Sequence, residues 1–221
     1  MYNKLSNSPL FKGLSPNEIE QLISRVPFQI RNYSNETNIA SRSDECKSLM
    51  IVVMGSVRGE MLDYSGKVLK VEDIFAPRPI AAAFLFGQNN RFPVDVIANG
   101  EVSILNMPKS SVLTLFQTSD IFLNNYLNAI SNRAQFLSQR IWFLSFKTIK
   151  GKLAQYMLNL LKENMQRIEL PLSQKELAEF FGVARPSLAR ALGELEKEGI
   201  IRVNRREIQI IDKNRLIKII E

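Results

Sequence analysis

The chain has 221 residues, 45% hydrophobic and 23% charged, the profile of a folded globular protein rather than a disordered one. It contains no histidine and one cysteine, Cys46. That removes Ser-His-Asp catalysis, His-rich zinc sites, histidine-ligated haem, disulfide frameworks and clusters held by several cysteines. A formal net charge of +7 and a pI of about 9.6 point to a polyanionic partner, either nucleic acid or an anionic membrane.

The N-terminus "MYNKLSNSPLF" lacks the charged-then-apolar order of a signal peptide, and no apolar run approaches the roughly 18 residues of a membrane span. A cytoplasmic protein with no membrane partner is expected. Residues 8–26 read as a short helix behind Ser15-Pro16, with Ile19, Leu22, Ile23 and Val26 on one face. From 28 to about 106, short apolar runs alternate with turn signals at Gly55, Ser65-Gly66, Asn89-Asn90 and Asn99-Gly100, the texture of a sandwich or barrel-like β-domain.

From 109 onward the pattern is helical. After a short helix, "KSSVLTLFQ", and an N-cap at Ser119-Asp120, a long helix runs to about 145. Leu123, Leu127, Ile130, Ala134, Leu137, Ile141 and Leu144 follow alternate spacings of four and three, a heptad seam suited to a second copy of the chain. A second stripe, Phe122, Tyr126, Ala129, Phe136 and Phe143, lies one position earlier and widens the buried face, so the helix is expected to touch its own β-domain on one side and a second copy on the other. A wholly intramolecular core helix is the alternative reading. Residues 149–163 form another amphipathic helix, with a candidate hinge at 146–148.

Residues 147–221 hold 15 of the 29 basic residues against 10 of the 22 acidic ones. Within them, "LSQKELAEFFGVARPSLARALGELEKEGII" reads as helix, tight turn, helix. Ser173 and Glu176 form a capping box, and Gly182 suits the corner because it tolerates positive φ. Pro186 falls in the first turn of the second helix, where its missing N–H costs no helical bond. At about 100° per residue, Arg185, Pro186 and Arg190 share the face opposite Leu188 and Leu195, with Ser187 at its edge. An arginine-bearing helix end suits the major groove, because arginine pairs bidentately with guanine. "IIRV" and "EIQII" then flank "NRR" at 204–206, a hairpin wing whose Arg205 and Arg206 suit backbone phosphate or form a solvated turn.

These features together resemble the Crp/Fnr superfamily of bacterial transcription regulators over nearly the whole chain. "SPLFKGLSPNEIEQL" is similar to its opening helix, "LMIVVMGSV" and "DYSGKVL" to its β-roll strands, with Gly55 and Gly66 at the turns. Residues 120–145 are similar to its dimerisation helix. Leu172, Ser173, Glu176, Leu177, Ala178, Gly182, Arg185, Arg190, Leu195, Gly199 and Ile200 match its DNA-binding signature. The resemblance implies an α+β fold: a double-stranded, jelly-roll-like β-roll sensor (1–118), a dimerisation helix (119–146) and a C-terminal winged helix-turn-helix (147–221). It implies a homodimer that binds a two-fold symmetric operator in double-stranded DNA and acts on RNA polymerase, not an enzyme. Arg185, Ser187 and Arg190 are expected to read bases, and Ser173, Lys175, Arg205 and Arg206 to hold phosphate.

The departures bear on the signal. Where cyclic-nucleotide-binding members carry a carboxylate for the ribose and an arginine for the phosphate, this chain places Arg78-Pro79 and Phe92-Pro93-Val94. Cyclic AMP is therefore not expected, nor an iron–sulfur cluster; haem ligated by Met, Tyr or Cys46 stays open. "AAAFLFGQNNRFPVD" combines small residues, phenylalanines and Arg91, which suits an apolar or mixed small effector near Arg78, Phe84, Phe86, Arg91, Phe92 and Ser138. Two alternatives stand beside that: the segment simply fills the roll and leaves a constitutively active regulator, or the chain is an enzyme or small-molecule carrier with an appended basic domain, catalysis being disfavoured by the lack of histidine and of a glycine-rich phosphate loop.

Overall fold

The computed structural model describes residues 1–62, 68–162 and 165–220. It opens with α1 (Tyr2–Leu5), a 3-10 turn at Pro9–Phe11 and α2 (Pro16–Ile23). Ser15 starts α2 with a capping box: its Oγ accepts from Glu18 N–H, and its own N–H donates to the Glu18 carboxylate at 2.8 Å. Strands β1 (Gln29–Tyr33), β2 (Asn38–Ala40), β3 (Ser48–Leu62), β4 (Val68–Phe75), β5 (Pro79–Ile80) and β6 (Asp95–Pro108) follow. They form one antiparallel sheet in the order β1-β6-β3-β4, with β2 also on β6 and β5 on β3. This is the α+β β-roll that the sequence leads one to expect.

Two turn assignments need correction. Gly55 lies inside β3 and Asn99-Gly100 inside β6, so each of these strands runs straight through a predicted break. The β3–β6 register shifts between Val52 and Ser56, so the glycines mark bulges that bend two long paired strands. Glycine at a bulge and glycine at a turn leave the same mark in a sequence, because both need positive φ. Gly55 has φ +78°, and a Cβ there would sit 2.4 Å from the Glu101 carbonyl oxygen. Gly55→Ala is expected to destabilise the β-roll by about 1–3 kcal/mol, read as a lower midpoint in urea; an unchanged midpoint would remove the bulge from the list of constraints. The Ser65-Gly66 turn lies outside the described residues.

After α3 (Lys109–Thr118), Ser119 Oγ accepts from Phe122 N–H at 3.2 Å and α4 (Asp120–Ser145) begins. The rest is α5 (Ile149–Leu160), β7 (Arg167–Glu169), α6 (Gln174–Phe181), α7 (Arg185–Lys197), β8 (Ile201–Asn204), β9 (Glu207–Ile210) and α8 (Lys213–Lys218). The strands make a small antiparallel sheet in the order β7-β9-β8.

The chain divides into two compact units, Met1–Arg133 and Ala134–Glu221. The division falls inside α4, earlier than a boundary at 146–147, because the end of this helix belongs to the second core. Phe122 and Tyr126 are buried in the first unit with Phe11, Leu49 and Ile51, and Phe143 is buried in the second with Leu153, Phe181 and Leu195. Of the earlier stripe on α4, Phe122, Tyr126 and Phe143 thus pack inward and Phe136 is 37% exposed, while the heptad seam is exposed along most of its length. Leu127 is 51% exposed, Leu137 43%, Ile141 69% and Leu144 51%; Ala134 is exposed too, and Leu123 and Ile130 are half-buried. Among the described residues no helix is long and apolar enough to cross a membrane.

Candidate nucleic-acid interface

The second unit builds its surface from the cap of α6. Ser173 N–H donates to Glu176 Oε2 at 2.7 Å, and Glu176 N–H donates to Ser173 Oγ at 3.3 Å. The Ser173 bonds, aided by Lys175 and Arg206 nearby, hold the Glu176 carboxyl below the usual carboxylate range. At the other end of α6, Gly182 adopts φ +67° and returns its N–H to Ala178 and Glu179. A Cβ on Gly182 would also press on Leu144 at 3.2 Å, so the corner is tight as well as left-handed.

Helix α7 buries Leu188, Ala191, Leu192 and Leu195 and exposes Arg185, Pro186 and Arg190, with Ser187 half-buried. Pro186 lies in its first turn, and Ser187 and Leu188 N–H both reach Ala184 O, so the proline displaces no helical bond. The wing is the β8–β9 hairpin, turned at Arg205 (φ 55°) and Arg206, both exposed. Leu170 N–H donates to Arg206 O at 2.8 Å, and β7 pairs with β9, which ties the wing tip to the start of α6.

Five of the seven residues expected at DNA therefore come together. Ser173, Lys175, Arg185, Arg205 and Arg206 line one open recess with Gln174, Leu170 and Leu172. Ser187 and Arg190 lie farther along α7 and are not on that lining. Such a surface holds no nucleophile and base pair; it can bind anions and present hydrogen-bond donors to a groove.

Sequence reasoning missed the groups that brace this surface. The buried Lys152 Nζ donates to Phe181 O at 3.1 Å, closing the C-terminal end of α6. Lys150 Nζ sits 2.9 Å from Glu194 and 2.8 Å from Glu198, clasping α5 to the end of α7. A lysine four residues before Tyr156 on the buried face of "IKGKLAQY" was the available signal for Lys152.

Of the six residues named for an effector, the five in the first unit differ in exposure and partners. Phe92 is buried in the β-roll core, Phe84 is partly exposed, and Arg78 is exposed. Arg91 is exposed and donates to Ser43 O at 2.7 Å. Ser138 belongs to the second unit. Phe86 packs against Phe116 at 5.9 Å and Tyr126 at 6.1 Å, and Tyr126 Oη donates to Ala82 O at 2.7 Å. In the first unit, side chains thus occupy the contact between the 82–86 segment and α4. Cys46 is buried, its thiol pushed up by desolvation, which disfavours the reactive thiolate.

Comparison with known proteins agrees with this geometry. Residues 151–219 match the Crp-like helix-turn-helix domain family. The chain is 22% identical to the cyclic AMP receptor protein of Thermus thermophilus, covering 93% of this chain and 94% of the relative. It is 21% identical to the cAMP-activated global transcriptional regulator of Salmonella typhimurium, covering 82% and 89%. The catabolite activator protein structure from Thermus thermophilus superposes with a TM-score of 0.56 at 22% identity, covering 96% of this chain and 98% of that one.

Proposed function

We propose that the chain is a Crp/Fnr-type transcription regulator and not an enzyme, working as a homodimer on a two-fold symmetric operator, as the match of residues 151–219 to the Crp-like helix-turn-helix family and the similarity to cyclic AMP receptor proteins support. The observation that carries this reading is the recess where the cap of α6, the start of α7 and the wing bring Ser173, Lys175, Arg185, Arg205 and Arg206 together. The exposed seam of α4 supplies the apolar face for the second copy. Two α7 helices would then enter successive major grooves about 34 Å apart, with RNA polymerase as the downstream partner. Arg190, exposed on α7, reads a base, supported by Ser187. Arg190→Ala is expected to cost about 1–3 kcal/mol at the selected operator and to relax one base position. Selection from random DNA checks this; an unchanged consensus removes Arg190 from the readers.

The relatives' names speak of cyclic AMP, but the residues at hand favour its absence here. Phe92, buried in the core, falls in the sequence where a phosphate-binding arginine is expected, and Arg78 where a carboxylate is, which supports a chain that does not bind a cyclic nucleotide in the family manner. Titration calorimetry is expected to record no heat; micromolar binding would overturn the reading. The Tyr126–Ala82 bond and the Phe86–Phe116–Tyr126 packing fill the contact between the 82–86 segment and α4, which supports a regulator with no small effector at that contact. The other reading keeps a small effector, not cyclic AMP, in or near the β-roll. A thermal shift of the purified protein with a candidate ligand separates the two.

A further inference from the structure

A second open recess, of about 190 Å³, lies within the first unit. Its lining includes Arg31, Tyr33, Asp44, Met50, Phe92 and Asn106. We propose that it binds a small aliphatic α-amino acid as the zwitterion, with the carboxylate on Arg31, the ammonium on Asp44 and the side chain on Met50 and Phe92. The proposal rests on the small-effector reading above. It gives that effector a place sharing no residue with the filled contact between the 82–86 segment and α4.

Strand register brings the first wall together. Residues two apart on β1 point the same way, so Gln29, Arg31 and Tyr33 share one side. Gln29 pairs with Asn106 of β6, which pairs in turn with Met50 of β3. Gln29 Oε1 accepts from Arg31 Nε at 3.3 Å and Nη2 at 3.1 Å, which aims the guanidinium without neutralising it. The wall at residues 43–47 is fixed by its backbone. Ser43 N–H donates to Phe92 O at 2.9 Å, Phe92 N–H to Asp44 O at 2.9 Å, and Cys46 N–H to Asn90 O at 2.7 Å. Such a site is formed before its ligand arrives.

Charge selects the ligand. The lining carries Arg31 and Lys47 against Asp44 and Glu45, which sum to zero. Lys47 and Glu45 pair with each other at 3.4 Å. Arg31 and Asp44 make no ion pair, either together or with another described residue. Ser41 N–H bonds Asp44 Oδ2 at 2.9 Å and leaves Oδ1 open. A simple anion would satisfy Arg31 but meet two carboxylates, and a simple cation would meet two basic groups; a zwitterion answers both unpaired charges. Buried Met50 and Phe92, with half-buried Ile39, give an apolar floor for a short side chain. The recess has the volume of about six waters, which suits the bulk of valine. The Tyr33 hydroxyl and Asn106 carboxamide, both half-buried and without a side-chain hydrogen bond among the described residues, can complete the ligand's bonds.

The test is calorimetric titration of L-valine into the full chain. Two paired probes accompany it: 3-methylbutanoate, which lacks the ammonium, and L-valinamide, which lacks the carboxylate. L-Valine is expected to bind saturably with a dissociation constant of about 1 mM or below. Each truncated probe, and L-valine on R31Q or D44N, should bind at least about 10-fold more weakly. Arg31 and Asp44 are exposed, and an asparagine at 44 still accepts from Ser41, so both variants should fold; circular dichroism melting confirms it. No saturable heat from L-valine, equal binding of either truncated probe, or wild-type affinity in either variant overturns the proposal. Operator selection is run separately on the same wild-type protein. A chain that selects an operator but ignores L-valine sinks this inference alone, whereas one that selects no DNA sinks the regulator reading.

Discussion

Ile141→Glu is expected to yield a folded monomer whose operator affinity falls by about 10²- to 10⁴-fold, the range over which two linked sites exceed one. Ile141 is 69% exposed in the single chain, so the substitution removes little internal packing. In a dimer it lies in the seam with Leu137 and Leu144, where burial of each aliphatic side chain contributes about 1.5–3 kcal/mol. Two carboxylates brought into that seam would lose their water and repel each other. Sedimentation velocity reads the oligomeric state and a salt-controlled titration reads the operator. A variant that remains dimeric with wild-type affinity places the dimer contact elsewhere.

The second large effect falls on Phe143. This ring is 3% exposed and is surrounded by Trp142, Phe146, Tyr156, Phe180 and Phe181, with centroid separations between 5.1 and 6.2 Å. Phe143→Ala is expected to destabilise the second unit by about 3–5 kcal/mol, part of it from aromatic pairs worth about 0.5–1.5 kcal/mol each beyond their area. Because α6 supplies Phe180 and Phe181, operator binding should weaken with stability. Denaturant unfolding followed by circular dichroism is the measurement, and Phe143→Leu should lose distinctly less. Equal losses for the two variants would mean that the aromatic ring itself, and not the volume it fills, holds the end of α4.

Much of this was legible from residue order. Ser15 with Glu18 and Ser173 with Glu176 were capping boxes on paper and are so in the fold, since a cap depends on neighbours within one turn. The corner at Gly182 and the wing followed from equally local chemistry. The width of the apolar band on α4 could be read, but not how its stripes divide: Phe122 and Tyr126 go into the first core and Phe143 into the second, while Leu127, Ile141 and Leu144 stay out. What could not be read depends on distant segments. Gly55 became a bulge because β6 lies alongside it, and Lys152 found Phe181 O from 29 residues away. The effector residues proposed between 78 and 92 share a stretch of sequence but not a direction: Phe92 turns to the core while Arg91 stays exposed and bonds to Ser43. Adjacent residues on extended chain face opposite ways, and only the tertiary fold decides which way is inside.

The chain carries one tryptophan, and the fold places it at the busiest point of α4. Trp142 is 44% exposed, follows Ile141 in the helix, and packs on Phe143 at 5.1 Å and Phe146 at 5.3 Å. Its indole emission therefore reports one location and nothing else: half of the ring watches the water beside the seam, the other half the aromatic cluster. Self-association that dries the seam shifts that emission to the blue, and loosening of the cluster shifts it to the red. The unlabelled protein is thus its own optical probe, with the sign of the spectral shift distinguishing assembly from local opening.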